Sequence, residues 1–438
     1  MPNSALFAVL ANAILSAEPE PAAIAKHVGH ALGRDWRWID PLCRRYLRAF
    51  DGTIRPRRRE VIAFLRRDQG FLDAWQQHPR QIKIHHWIAP SPAMQPAAVA
   101  KAWPIPPIET VAALAQWSGF TPSELAWFAD LKGLNYKRPQ PRLEHYHYRF
   151  LAKDNGNIRL IESPKLRLKS LQRKILSSIL DRIPVHPAAH GFVHGRSIQT
   201  FAAPHVGKRI VLRMDLEDFF PSISGARMQG FFRTIGYPEP VADLLGGIVT
   251  NTMPKRAWRE AAVPVGFDVQ SLYAQPHLPQ GAPTSPALAN LASYRVDCRL
   301  TGLARAAGAA YTRYADDLAF SGGESLHRSV DRFAAQVAVI LREEGFTVHH
   351  RKTRVMCQSV RQHLAGLVIN QRLNLERRDF DRLKAVLTNC VRHGPVSQNR
   401  EGLQNFREHL AGRVGFIESV HAGKGSRLRA IFNQIDWP

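Results

Sequence analysis

Cysteine is scarce in this chain, four residues among 438, and Cys43, Cys298, Cys357 and Cys390 lie far apart. None forms a Cys-x-x-Cys pair or has a histidine at a matching distance, which speaks against a disulfide framework or a structural zinc and for reduced thiols in a cytoplasmic setting. Long apolar runs are missing too. The stretch from Ala5 to Leu15 has no basic start and no small-residue cleavage pattern, and it is too short to cross a bilayer, so it reads as a buried helix with no membrane attachment. No internal repeat is visible. Acids are also under-represented: 36 Asp and Glu face 60 Lys and Arg, a formal net charge of +24. An excess of that size, spread along the chain, calls for a polyanion partner, most simply nucleic acid. With 45% hydrophobic residues the chain is globular and long enough for two or three cores.

Residues 1–88 read as a basic helical N-terminal extension. Arg44, Arg45, Arg48, Arg55, Arg57, Arg58, Arg59, Arg66 and Arg67 are interleaved with Trp36, Trp38, Phe64 and Trp75, a mixture suited to nucleic-acid backbones and stacked bases, or else a solvated helical surface over core aromatics. The proline-rich run 89–107 can be neither helix nor inner strand and reads as a linker. In the small helical segment 108–143, Thr121-Pro122-Ser123-Glu124 has the pattern of a helix N-terminus. From 144 to 370, strand-like runs (146–151, 158–162, 210–215, 310–320, 362–369) alternate with helical patterns (166–183, 286–303, 328–344), an α+β layout. Residues 371–438 read as a helical bundle.

Against the basic background, Asp316-Asp317 in Tyr311-Thr-Arg-Tyr-Ala-Asp-Asp-Leu-Ala-Phe320 stands out. Two short apolar, aromatic-rich segments flank the acids, the pattern of a β-hairpin with carboxylates at its turn. Alone, such a pair reads as a solvated turn. A third acid, Asp215 in Val211-Leu-Arg-Met-Asp-Leu-Glu-Asp-Phe-Phe220, changes that reading. Three carboxylates on two strands can hold two divalent ions, one to activate an attacking hydroxyl and one to steady a leaving pyrophosphate. Mg2+ suits a donor set of carboxylates, phosphate oxygens and water, with Mn2+ as a substitute.

The segment from about Tyr146 to Asn370 resembles the fingers and palm of reverse transcriptases, with motifs in the family's order. The resemblance implies an α+β right-hand polymerase fold of fingers, palm and thumb, and RNA-directed DNA polymerase activity. By family position, Asp215, Asp316 and Asp317 are catalytic metal ligands, joined by the backbone carbonyl of Leu216, while Glu217 and Asp218 are surface acids. Lys153 and Arg159, on the hairpin 153–165, are candidates to grip the incoming triphosphate, or else surface charges. Arg196, in His190-Gly-Phe-Val-His-Gly-Arg-Ser197, would meet template phosphate. Phe220, five positions after Asp215, would close on the sugar 2′ position and select deoxynucleotides. Gln280 and Gly281, in Gln280-Gly-Ala-Pro-Thr-Ser-Pro286, would pack near the nascent base pair. Lys352, after Gly345-Phe346, would act near the pyrophosphate. Leu364-Ala-Gly-Leu-Val-Ile-Asn370 matches the primer grip, or else is a plain buried hairpin.

Among reverse transcriptases, the motifs Asp215-Leu-Glu-Asp-Phe-Phe-Pro-Ser222 and Tyr311-Thr-Arg-Tyr-Ala-Asp-Asp317 are most similar to those of bacterial retron enzymes. That likeness implies a structured non-coding RNA and its DNA copy, deoxynucleoside triphosphates, an effector (toxin) protein and a role in phage defence. Two departures stand out: Phe201-Ala-Ala-Pro-His205 where retron enzymes carry Asn-Ala-x-x-His, and Leu364-Ala-Gly366 where they carry Val-Thr-Gly. A related defence-associated reverse transcriptase with another RNA or priming mode is the alternative, and an RNA-binding scaffold on an inactive polymerase fold is a second. In the thumb, Arg377, Arg378, Arg382, Lys384, Arg427 and Arg429 are expected to contact duplex backbone, and Arg57, Arg58 and Arg59 to contact nucleic acid at the N-terminal end.

Overall fold

The apolar N-terminal stretch folds as the helix Ser4–Ser16, started by Asn3, whose side-chain oxygen accepts from the Leu6 N–H at 2.8 Å. Leu6, Phe7, Val9, Leu10, Ala13 and Ile14 are buried on nearly every side of it, as a helix without a polar face must be. Helices Pro21–Leu32, Ile39–Ala49, Arg58–Leu65 and Gln69–Gln77 close over it through Ile24, Val28, Leu42, Val61, Leu65 and Phe71. Each such side chain contributes about 1.5–3 kcal/mol on leaving water. In this computed structural model, residues 2–50, 55–89, 93–137, 144–152, 158–261 and 265–437 are described.

The chain forms two units: 1–184 with 220–292, and 185–219 with 293–438. The expected fingers and palm, 144–370, are therefore divided between them. In the first unit, the expected linker has partners: Gln95 N–H donates to the Gly236 carbonyl at 2.8 Å and Ala97 N–H to that of Thr234 at 3.1 Å. Prolines keep α-helix and inner strand out of this segment, whose described residues hold only a 3-10 turn at Ala98–Ala100, but leave its remaining N–H groups free to dock. The helices 111–118 and 122–129 follow, the latter with a capping box in which Thr121 and Glu124 exchange hydrogen bonds. Tyr146–Ala152 and Ile158–Pro164 then pair antiparallel, with Tyr148 opposite Glu162.

The second unit is built on a five-stranded antiparallel sheet. Strand Ile210–Glu217 lies between Asp317–Gly322 on one side and Thr347–Val348 with Arg354–Cys357 on the other, and Ala310–Tyr314 pairs with Asp317–Gly322. Helix Glu324–Glu343 buries one stripe, Leu326, Phe333, Val337 and Leu341, at helical spacing. The pattern at 286–303 resolves into two helices, Ser285–Ala292 and Tyr294–Ala306, broken at Ser293. The run 362–369 is a hairpin of two two-residue strands, turning at Ala365 and Gly366 with φ of 47° and 80°, the twist a tight hairpin requires. Helices Arg377–His393, Phe406–Val420 and Ala422–Phe432 complete the unit around Leu383, Leu387, Leu410, Val414 and Leu428.

Candidate active site

Along Ile210–Glu217 side chains alternate between faces, so Arg213 and Asp215 share one face. Asp215 is buried and stands directly opposite Asp317 across the antiparallel pair. Tyr314 pairs with Asp317, leaving Ala315 and Asp316 as the turn, with Ala315 at φ 55°. The Asp316 carbonyl accepts from the Leu216 N–H at 2.9 Å, which ties the turn to the central strand. Two acids adjacent in sequence and a third about a hundred residues away thus meet at one end of the sheet.

Crowding has an electrostatic consequence. The Asp316 carboxyl is pushed up to about 6, first by burial and then by the negative charges of Asp215 and Asp317. Burial also raises Asp317, and Arg213 opposes that rise. The Arg213 fork donates to Asp317 Oδ1 from Nε at 2.9 Å and from Nη2 at 2.7 Å, with a third contact to Oδ2 at 3.0 Å. Lys352, on the short turn His350–Lys352, donates from Nζ to Asp215 Oδ1 at 2.9 Å. Its turn is fixed by the His349 N–H, which donates to the Asp215 carbonyl at 2.8 Å.

Hard divalent cations fit this donor set, which is all oxygen and carries mutual repulsion that a cation relieves. As arranged, Arg213 and Lys352 supply the compensating charge. Among the described residues, no three acidic, His or Cys side chains are drawn together closely enough to enclose an ion.

The other expected nucleotide-binding residues belong to the first unit. Arg159 is exposed on the strand Ile158–Pro164, and Lys153 lies outside the described residues. Phe220 is half-buried. The Gln280 carbonyl accepts from the Glu162 N–H at 2.8 Å, and Gly281 sits at φ 132°. A Cβ on Gly281 would lie 2.9 Å from the Glu162 carbonyl oxygen, so the close approach that needs this glycine includes one to the neighbouring strand. Glu162 is itself fully buried between Asn251, at 2.8 Å, and His277, at 3.0 Å.

Several expected nucleic-acid contacts have other partners. Arg196 Nη1 donates to the carbonyls of His186 at 3.2 Å, Pro187 at 2.8 Å and Ala189, so it clamps its own loop. Arg57 binds Asp243 at 3.1 Å and Gln229, and Arg58 Nε donates to the Asn12 side-chain oxygen at 2.7 Å. Burial raises the Asp243 carboxyl, and Arg57 opposes that rise. These three guanidiniums serve internal carbonyls, an amide and a carboxylate, where the expectation was nucleic acid. Arg59, Arg378 and Arg427 are exposed, and Arg377 is 94% exposed with a loose contact to Asp381 at 3.5 Å.

Arg213 belongs to no motif, although an arginine inside the apolar run Ile210–Leu216, two places before an acid, is a signal by alternation alone. Asp297 belongs to none either, and its partner Arg313 lies four residues before Asp317. Nothing local marks that pair.

Known proteins are similar to this chain over much of its length. The family described as reverse transcriptase (RNA-dependent DNA polymerase) matches residues 151–376, just over half the chain. The retron Mx65 reverse transcriptase of Myxococcus xanthus is 41% identical over 301 residues, 68% of this chain and 66% of that protein. The retron Mx162 reverse transcriptase of the same organism is 36% identical over 75% of this chain and 67% of its own length. The retron Ec86 reverse transcriptase of Escherichia coli is 30% identical over 64% of this chain and 77% of its own length. The match to the Mx65 protein thus spans slightly less than two thirds of that relative.

Proposed function

The chain belongs to the reverse transcriptase (RNA-dependent DNA polymerase) family, with retron enzymes among its relatives, and from that premise we propose that it copies part of a small structured non-coding RNA into DNA as a retron component in phage defence. The observation that carries the reading is Asp215 set opposite Asp317, with Asp316 at the intervening turn and its carboxyl pushed up to about 6. A carboxyl in that state is crowded by burial and like charge, which a bound cation would relieve.

Asp215, Asp316 and Asp317, with the Leu216 carbonyl, would hold two divalent ions, Mg2+ by donor type, which when bound lower the pKa of the attacking hydroxyl and neutralise charge on the leaving pyrophosphate. Arg213 holds the Asp317 carboxylate in one orientation through a bidentate grip, the geometry that keeps a carboxylate in place. Lys352 is close enough to Asp215 to swing its ammonium between that carboxylate and a phosphate, and its 48% exposure leaves it room to move. There it would neutralise the leaving group or give it a proton. Phe220 supports deoxynucleotide selection, because an aromatic ring closed against the sugar 2′ position would leave a ribose 2′-OH no room, a filter that a smaller side chain would open.

The test is to copurify the chain with its nucleic acid, add Mg2+ and labelled deoxynucleotides, and compare Asp316→Asn. Incorporation by the unaltered chain and none by the variant is expected. Equal incorporation by both sinks the mechanism, and none by either favours an RNA-binding scaffold. Sequencing the product against the copurified RNA identifies the template.

A further inference from the structure

Next to the catalytic turn, the structure closes an ion pair off from water. Arg313, on the strand Ala310–Tyr314, and Asp297, on the helix Tyr294–Ala306, have no exposed side-chain surface. Arg313 Nε and Nη2 donate to the two Asp297 oxygens at 2.8 and 2.7 Å, and the Tyr311 hydroxyl adds a bond to Oδ1 at 2.8 Å. The remaining nitrogen, Nη1, points away from Asp297 and donates to the Ala315 carbonyl at 3.1 Å. Ala315 is the residue in the left-handed conformation immediately before Asp316.

Two unfavourable features therefore coincide. A buried ion pair gains little over apolar packing, because both charges lose their water. An alanine at positive φ is strained, and such strain persists only where its surroundings over-determine it. The surroundings here do so from two directions. The backbone of Gly191 is pressed against the turn, so closely that a Cβ on it would lie 2.6 Å from the Ala315 nitrogen. The strand is also held at Arg313, whose N–H donates to the Ala188 carbonyl and whose carbonyl accepts from the His190 N–H, both at 2.7 Å.

We propose that Arg313, oriented by Asp297 and Tyr311, is a positioning residue that holds the Ala315 carbonyl and so fixes the turn presenting Asp316 and Asp317. Asp297 takes Nε and Nη2 of the guanidinium, and Nη1 reaches the Ala315 carbonyl. Releasing the carbonyl lets Ala315 relax out of its left-handed conformation, and both carboxylates move with it. The inference rests on the polymerase reading of those carboxylates.

The test uses the full chain with its copurified RNA and replaces the pair by apolar residues of similar volume, Asp297→Leu together with Arg313→Met. Removing both charges keeps the core filled and leaves no orphaned ion, so the variant is expected to stay folded, losing only the bonds of the Tyr311 hydroxyl and the Ala315 carbonyl. The Ala315 carbonyl nevertheless loses its donor. Expected are a fall in kcat of about 100-fold, a loss of Mn2+ affinity of about 10-fold by electron paramagnetic resonance titration, and unchanged RNA binding. A folded double variant with full incorporation and an unaltered Mn2+ titration would make the pair ordinary core and overturn the proposal.

If the double variant fails to fold, Arg313→Lys decides by the same measurements, since lysine keeps the charge but loses the fork. Mn2+ binding also separates this inference from the polymerase reading. A chain that binds Mn2+ through Asp316 but incorporates nothing refutes polymerisation, while a weaker Mn2+ titration in the double variant still supports the positioning role. A chain that does neither overturns both.

Discussion

Neutralising the turn acid by Asp316→Asn should make the ion-free protein more stable while abolishing its activity. In the folded chain the Asp316 carboxyl is pushed up from 3.8 to about 6, equivalent to about 3 kcal/mol at most. Partial exposure of the side chain screens the repulsion, so about 1–3 kcal/mol is the working range. The sign follows from proton linkage. Below 3.8 both folded and unfolded chains carry the proton, and the group contributes nothing. Between 3.8 and about 6 only the unfolded chain gives it up, so folding loses stability as pH rises; above about 6 the loss is constant. Asparagine keeps the shape and carries no charge, so its advantage should be absent at low pH, grow across that window and level off above it. Unfolding midpoints measured in chelator across this pH range test the idea. Adding Mg2+ at high pH should then stabilise the unaltered chain and not the variant, by mass action on the folded state. A variant no more stable than the parent at high pH in chelator, or equally stabilised at every pH, would refute the account of crowded carboxylates.

Phe220→Ala should admit ribonucleotides, narrowing discrimination by about 10- to 100-fold in competition assays; unchanged discrimination would place the filter elsewhere. In the first unit, Glu162→Leu should cost about 3–5 kcal/mol in denaturant unfolding, because it strands His277 and Asn251. Burial lowers the His277 pKa, but Glu162 outweighs it and the net shift is upward from 6.5. The stabilisation from that charged pair is therefore full below 6.5 and lost as pH rises through the raised value; a Glu162→Gln variant whose deficit grows with pH would contradict this. RNA binding should weaken steeply with salt, and removing the exposed Arg378 or Arg427 should reduce the slope of log K against log salt by about 1 each. A salt-independent affinity would remove the electrostatic account of the thumb.

Much of the site was legible because its signals are local. A turn between two strands of period two, with acids at the turn, is written in the six residues Tyr314–Ala319. A single strand carrying Asp215 is equally local, and the alternation of faces then puts Arg213 on the same side. The helix start at Thr121, the buried helix at Ser4–Ser16 and the stripe of Glu324–Glu343 were readable for the same reason. The cations were the least readable class. Arg57, Arg58, Arg196 and Arg313 look alike in sequence to Arg59 and Arg378, yet the first four end on carboxylates, an amide or carbonyls inside the protein.

By itself, then, the order of residues determined the two strand segments, the acids they carry and the net charge of +24. Tertiary structure alone decided that Asp215 faces Asp317 in register, that Arg213 grips Asp317, and that Arg313 meets both Asp297 and the Ala315 carbonyl. The physical reason is range. Periodicity and turn chemistry act over a few residues, whereas the partner of a buried charge is whichever group the completed fold leaves within hydrogen-bond reach, and that group lies 16 residues away for Arg313 and 186 for Arg57.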